Sequence, residues 1–352
     1  MYSASASPTD EVLFEMRNRV GIITLNRPKV LNSLNTNMVK AIYSQLKEWE
    51  RKCTLVIVQG AGDKAFCAGG DVVFATSNKE AGKDFFRHEY KMNYLIGTYR
   101  IPYISLLDGV TMGGGVGISV HGPYRVATEK TLFAMPETTI GLFPDVGGSY
   151  FLPRLDGRLG LFCALSGYRL QGIDVVKAGV ATHYVSSSDI PKLINKLVET
   201  DPDYIGEFLN SFALDLSKRR FTLDGFYTVI TNCFGVESVE GILHELWKDG
   251  TEFAKSVAQE IQHQSPISLK ITHKQLALGA RLGLKECLQM EYRLACAALD
   301  KKVSHDFYEG VRALLIDKDR SPKWDPATLD EVSDEMVNQC FQRLPESEEL
   351  DI

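Results

Sequence analysis

Two carboxylates, Glu137 and Asp145, stand in one proline- and glycine-rich apolar stretch, Met135-Pro136-Glu137-Thr138-Thr139-Ile140-Gly141-Leu142-Phe143-Pro144-Asp145-Val146-Gly147-Gly148. Apolar surroundings solvate a carboxylate poorly, which raises its basicity and suits it to general-base or nucleophilic work. A plainer reading competes at Asp145, which precedes Val146-Gly147 and could equally cap a helix or close a turn.

Two other glycine-dense places could take part: Ala65-Phe66-Cys67-Ala68-Gly69-Gly70-Asp71 and Met112-Gly113-Gly114-Gly115-Val116-Gly117. Glycine lets backbone approach a ligand with no Cβ in the way, and free N–H groups at a helix start attract negative charge. Two such groups aimed at one point would form an oxyanion hole, whereas the plainer alternative is a pair of tight turns. A dinucleotide fingerprint fails, because neither Gly113-x-Gly115 nor Gly115-x-Gly117 has its third glycine at the required offset. The phosphate loop GxxxxGK[ST] is missing as well. Gly117-Ile118-Ser119-Val120-His121 breaks the GxSxG elbow at its last position, which argues against a serine nucleophile and leaves Ser119 and His121 as helix residues packed near that turn. His88 and Glu89 sit together on an amphipathic stretch, where a solvated helix face is the default. No pattern of His, Cys, Asp and Glu resembles a metal site.

The elements that must position these groups alternate. Val12, Phe14 and Met16 recur at every second position, and Val20 to Leu25 is β-branched and nearly continuous, which predicts two strands joined by a hairpin through Asn18. Met38, Ile42, Leu46 and Trp49 recur at helical spacing after the capping candidates Asn35 and Thr36. Strands follow at Leu55 to Val58, Tyr103 to Leu107, Tyr124 to Ala127 and Thr131 to Phe133, with a helix over Lys83 to Tyr99 and another starting within Gly113-Gly114-Gly115. Strands and helices alternating at this density predict an α/β class. After Val185 the pattern turns almost wholly helical, with loops at Ser186 to Asp189 and Asp201 to Asp203, so a catalytic core over 10–200 and a mainly helical region over 201–352 are expected.

Bulk properties narrow the function classes. The chain has 352 residues, 24% charged and 44% hydrophobic, as in an ordinary globular enzyme. A net charge of -6 argues against nucleic-acid and anionic-membrane partners. The seven cysteines are scattered and form no CxxC pair, which points to a reducing compartment. No apolar run approaches the roughly 20 residues of a membrane-spanning helix. Met1 to Asp10 is small and polar, without the arginines of a mitochondrial transit peptide, and reads as a frayed start.

Taken together, Ile23-Thr24-Leu25-Asn26-Arg27-Pro28-Lys29, Ala65 to Asp71 and Gly113-Gly114-Gly115 resemble the crotonase (enoyl-CoA hydratase/isomerase) superfamily. The Met135–Gly148 stretch and the run from His305 to Trp324 resemble its thioester-hydrolase branch more narrowly. The resemblance implies a spiral of strand-strand-helix turns followed by a helical C-terminal region. It implies that a thioester oxygen rests against the Gly70 and Gly114 amides, and that Lys29, Val30, Ala68 and Asp71 face the coenzyme A nucleotide. It further implies Glu137 and Asp145 as catalytic groups, with Glu89 and Gly114 beside them in the acyl site. A hydratase uses a second glutamate shortly after the triple glycine, and this chain has Gly117 there. Hydrolysis of a 3-hydroxyacyl thioester of coenzyme A, 3-hydroxyisobutyryl or also 3-hydroxypropionyl, is therefore expected, within valine breakdown in the mitochondrial matrix. Coenzyme A would enter as part of the substrate with no separate cofactor, and the chain could assemble as a homo-oligomer. An enoyl-CoA hydratase or isomerase of the same fold and a non-catalytic acyl-CoA-binding protein are the alternatives.

Overall fold

The computed structural model describes residues 11–352, so the expectation for Met1 to Asp10 lies outside the described residues. Two compact units, interleaved in sequence, make up the chain. The first takes the residues up to Gly70, then Leu95–Phe133 and Leu170–Arg219; the second takes Asp71–Tyr94, Ala134–Arg169 and Arg220–Ile352. This partition differs from a sequential division at residue 200, because the segments bearing Glu89 and Glu137 group with the later helices rather than with the strands they follow.

The first unit is built on ten strands: β1 (Val12–Arg17), β2 (Val20–Leu25), β3 (Leu55–Gly60), β4 (Ala65–Cys67), β5 (Tyr103–Leu107), β6 (Val110–Met112), β7 (Tyr124–Ala127), β8 (Leu132–Ala134), β9 (Leu170–Gln171) and β10 (His183–Tyr184). β1 and β2 form the expected antiparallel hairpin, with Asn18 and Arg19 left-handed at its turn. One sheet has the order β1-β2-β3-β5-β7-β10 and the other β4-β6-β8-β9. The chain thus alternates between the sheets, β3 then β4, β5 then β6, β7 then β8, and advances one strand at each pass. That is the expected spiral, and its larger sheet is parallel from β2 onward.

Period-two alternation decides which face each strand residue meets. Val20, Ile22, Leu55, Ile57, Ile104, Leu106 and Val126 share one face and pack on Leu193, Leu197 and Leu209 of the helices Ile190–Glu199 and Ile205–Phe212. On the opposite face a Cβ at Gly21 would stand 2.3 Å from the Trp49 ring, so glycine is what lets the helix Thr36–Trp49 lie against β2. Asn35 caps that helix, accepting from the Met38 amide at 2.9 Å.

Apart from Ala134, the described elements of the second unit are helices and turns. Its aromatic core joins Phe86 to Tyr90 (5.8 Å) and Phe307 (6.5 Å), and Tyr90 to Tyr292 (6.4 Å, edge-on). Each such pair adds about 1 kcal/mol to the burial it accompanies. All seven cysteines are free, buried thiols. Among the described residues no helix is long and apolar enough to cross a membrane.

Candidate active site

Glycine turns end two neighbouring strands of the first unit. β4 and β6 run parallel, Ala65 beside Val110 and Cys67 beside Thr111. Their C-terminal turns therefore leave the sheet on one edge, about 5 Å apart. A Cβ at Gly115 would sit 2.1 Å from the Cys67 carbonyl oxygen, so no other residue fits between the turns. Gly69 (φ +114°) and Gly113 (φ +46°) both take left-handed backbone. Among the described residues neither the Gly70 nor the Gly114 amide donates a backbone hydrogen bond. Two unspent donors on adjacent turns are what an oxyanion needs.

The helix begun at Gly114 ends at Gly117, so Ser119 and His121 lie in the turn beyond it rather than in a helix as the sequence predicted. The cause is local: the buried Ser119 hydroxyl donates to the carbonyls of Gly115 (2.8 Å) and Val116 (3.0 Å), competing with continuation of the helix.

Lys29 and Val30 occupy an exposed turn, Pro28–Val30. The Ala68 amide donates to the Leu31 carbonyl at 3.0 Å and Leu34 donates to Gly69 at 2.9 Å, which ties that turn to the Ala65–Gly70 loop. Asp71 belongs to the second unit, where its side chain caps the helix Val72–Ser77 by accepting from Phe74 at 3.2 Å.

The acidic residues all belong to that second unit. Glu89, on the helix Lys79–Gly97, is 1% exposed, Glu137 6% and Asp145 5%. The solvated-face default for Glu89 does not hold. Among the described residues none of the three forms an ion pair, and one oxygen each of Glu89 and Glu137 has no hydrogen-bond partner. Burial, followed by the charge of Asp145, holds the Glu137 carboxyl well above the usual carboxylate range, and Glu89 is raised by burial and by the charges of Asp145 and Glu137. Burial lifts Asp145 to about 7 against the opposing hydrogen bond from Tyr90. Each of these carboxyls resists ionisation the more when its neighbours are charged, which is the condition that lets an acid and a base stand in one place.

Three residues that sequence reading missed fix the loop. Tyr90 donates to Asp145 Oδ2 at 2.9 Å. Gln275 donates to the Pro144 carbonyl at 2.6 Å. Glu291, fully buried, accepts from the amides of Gly147 (2.7 Å) and Ser149 (2.9 Å) and from the Ser149 hydroxyl. Asp145 is therefore not a side-chain cap: its carboxylate meets Tyr90, and Glu291 takes the amides that a cap would have satisfied. Val146 between them has φ +50°, a strained value for a β-branched residue that costs on the order of 1–3 kcal/mol. A signal for Glu291 existed. It stands among Cys287, Leu288, Leu294 and Ala295, one helical turn to either side and all buried, as a lone charge in an apolar stripe.

Burial pushes Glu291 up to about 8, with its three hydrogen bonds pulling the other way. The folded values of Asp145 and Glu291 lie above their unfolded ones, so the stability they confer is complete below about pH 4 and is lost as pH rises through 7 and 8. Glu309, held near 2 by Arg312, acts in the opposite sense only in strong acid. Thermal unfolding followed from pH 5 to 8.5 is expected to show a falling midpoint, and Asp145→Asn to flatten that fall. A midpoint that climbs across this range would contradict the assignment. No group of three or more His, Cys, Asp or Glu among the described residues could hold a metal.

With this geometry in hand, residues 20–341 match the family described as enoyl-CoA hydratase/isomerase. A protein from Danio rerio named 3-hydroxyisobutyryl-CoA hydrolase, mitochondrial, is 52% identical over 97% of this chain and 92% of its own. Its namesake from Homo sapiens is 48% identical over 98% and 92%. Among solved structures, a carnitinyl-CoA dehydratase from Mycobacterium thermoresistibile superposes with a TM-score of 0.90 at 37% identity, covering 97% of this chain and 99% of that one. An enoyl-CoA hydratase from Rhodobacter sphaeroides gives 0.88 at 35%, covering 97% and 100%.

Proposed function

The chain belongs to the enoyl-CoA hydratase/isomerase family, and from that premise we propose that it hydrolyses 3-hydroxyisobutyryl-CoA to the free hydroxy acid and coenzyme A. The observation that carries this reading is the buried Glu137 carboxylate with an unpartnered oxygen, in a loop gripped by Tyr90, Gln275 and Glu291. On this reading the Gly70 and Gly114 amides take the thioester oxygen, each worth about 3 kcal/mol to the tetrahedral oxyanion. Glu137 either bonds to the carbonyl carbon, expelling the coenzyme A thiolate and leaving an anhydride that water opens, or removes a proton from water as it attacks. Asp145, held by Tyr90, manages the proton that the departing thiolate takes up, and Glu89 meets the acyl hydroxyl. Lys29, Val30, Ala68 and Asp71 are the proposed contacts for the nucleotide end of coenzyme A.

The relatives bearing the hydrolase name are about half identical to this chain, while the two structures named as a hydratase and a dehydratase stand at 35% and 37%. Gly117 in place of the second hydratase glutamate favours the hydrolase. The relatives' names place them in mitochondria, and valine breakdown in the matrix is the proposed setting, with 3-hydroxypropionyl-CoA as a second substrate. Purified protein is expected to release free thiol from 3-hydroxyisobutyryl-CoA with a kcat of order 1–10³ s⁻¹. Loss of the conjugated enoyl absorbance from an enoyl-CoA with no thiol released would identify a hydratase instead.

A further inference from the structure

Besides Glu89 and Tyr90, the helix Lys79–Gly97 carries a third polar side chain that is fully buried, Asn93. Neither Oδ1 nor Nδ2 of its carboxamide has a hydrogen-bond partner among the described residues. A carboxamide offers two donor hydrogens and two acceptor sites. Burying all of them unpaired is costly, and a leucine of similar size at that position would avoid the cost entirely. Such a group persists where something other than the protein completes it.

Helix geometry says what that could be. At about 100° per residue, Tyr90 points about 100° around the axis from Glu89, and Asn93 about 40° from Glu89, so Asn93 projects between the two, one turn further on. Tyr90 reaches Asp145, and Glu89 lies within range of the charges of Asp145 and Glu137. Glu89 also has an unpartnered oxygen, Oε1. Two neighbouring side chains on the face turned to the acidic cluster thus hold polar atoms in reserve, and one of them bears no charge.

We propose that Asn93 is a specificity-determining residue that, together with Glu89, binds the hydroxyl of the acyl chain. A hydroxyl both donates and accepts: the Asn93 Nδ2 hydrogens meet its oxygen, and its hydrogen meets Oδ1 or the Glu89 carboxyl. An acyl group without the hydroxyl leaves those atoms unpaired and is rejected for that reason. The inference rests on the hydrolase reading for its substrate, and the test separates the two.

Coenzyme A release is measured from 3-hydroxyisobutyryl-CoA and from isobutyryl-CoA, its analogue lacking the hydroxyl, for the wild type, Asn93→Ala and Asn93→Leu. Asn93→Leu is expected to fold with a thermal midpoint at or above that of the wild type. Both variants are expected to lose about 10- to 100-fold in kcat/KM on the hydroxylated thioester and no more than about 3-fold on the other, so that selectivity collapses. An equal loss on both substrates, or no loss on either, overturns the proposal. Calorimetric binding of the same two thioesters needs no turnover. Selective loss of hydroxyacyl binding in the variants of a protein that releases no thiol would keep the subsite and refute the hydrolase, whereas unselective binding in the wild type would refute the subsite.

Discussion

Glu137→Gln is expected to lower kcat for coenzyme A release about 10³-fold or more while thioester affinity stays within a few-fold of wild type. An amide of the same size fills the same buried space, so the loop following Pro136 has no steric reason to move. What it loses is chemical: glutamine can neither bond to a carbonyl carbon as an oxyanion nor take a proton from water. The replacement also removes one acidic group from a crowded cluster and so leaves Glu89 easier to ionise, which makes a stability loss an unconvincing explanation for lost turnover. Wild-type protein run for a single turnover in heavy-oxygen water distinguishes the two chemical routes, since only an anhydride leaves label in the Glu137 carboxylate. Turnover that survives the substitution would remove Glu137 from the mechanism.

Removing the acceptor behind the loop should have an effect of nearly the same size. Glu291→Ala strands two backbone amides and a hydroxyl that now share one carboxylate, and breaking such a buried arrangement costs on the order of 3–5 kcal/mol, or about 5–10 °C in thermal midpoint. Turnover is expected to fall about 10²-fold, because Asp145 is placed by the turn those amides form. Glu291→Gln keeps an acceptor for Ser149 but turns an N–H₂ toward a donor, and should fall between the two. A merely structural role would stop there. An ionised Glu291 also raises Glu137, and with Glu291 lifted to about 8 that charge acts only in the alkaline range, so in Glu291→Gln the pH–rate limb near pH 8 is expected to move to lower pH. A limb that stays in place, with lower stability alone, would leave Glu291 as scaffolding only.

Local signals carry the parts of the fold and site that are legible in the sequence. Alternation gave the β1–β2 hairpin, Asn35 gave the start of the first long helix, and two carboxylates in an apolar loop gave Glu137 and Asp145. The parts that stayed hidden depend on distant partners. Nothing near Gly147 in sequence announces that Glu291 will accept its amide, and nothing near Pro144 announces Gln275. The interleaving of the two units is invisible for the same reason: a boundary read from changing texture is a property of consecutive residues, whereas the compact units collect segments from three separate stretches each. Ser119 misled in the other direction, since a hydroxyl that looks helix-compatible by spacing bonds back to the preceding turn and stops the helix early.

The sheltering of the cysteines bears on a catalyst whose product is itself a thiol. Released coenzyme A, once oxidised, can cap exposed cysteines as mixed disulfides, a reaction that needs a protein thiolate to attack. Burial pushes Cys163 and Cys287 up to about 12 and Cys53, Cys233, Cys296 and Cys340 to about 11, which leaves no more than about one part in 10⁴ as thiolate near neutral pH. Those six thiols are thereby poor nucleophiles toward the oxidised form of what the enzyme releases, and Cys67 is buried with them.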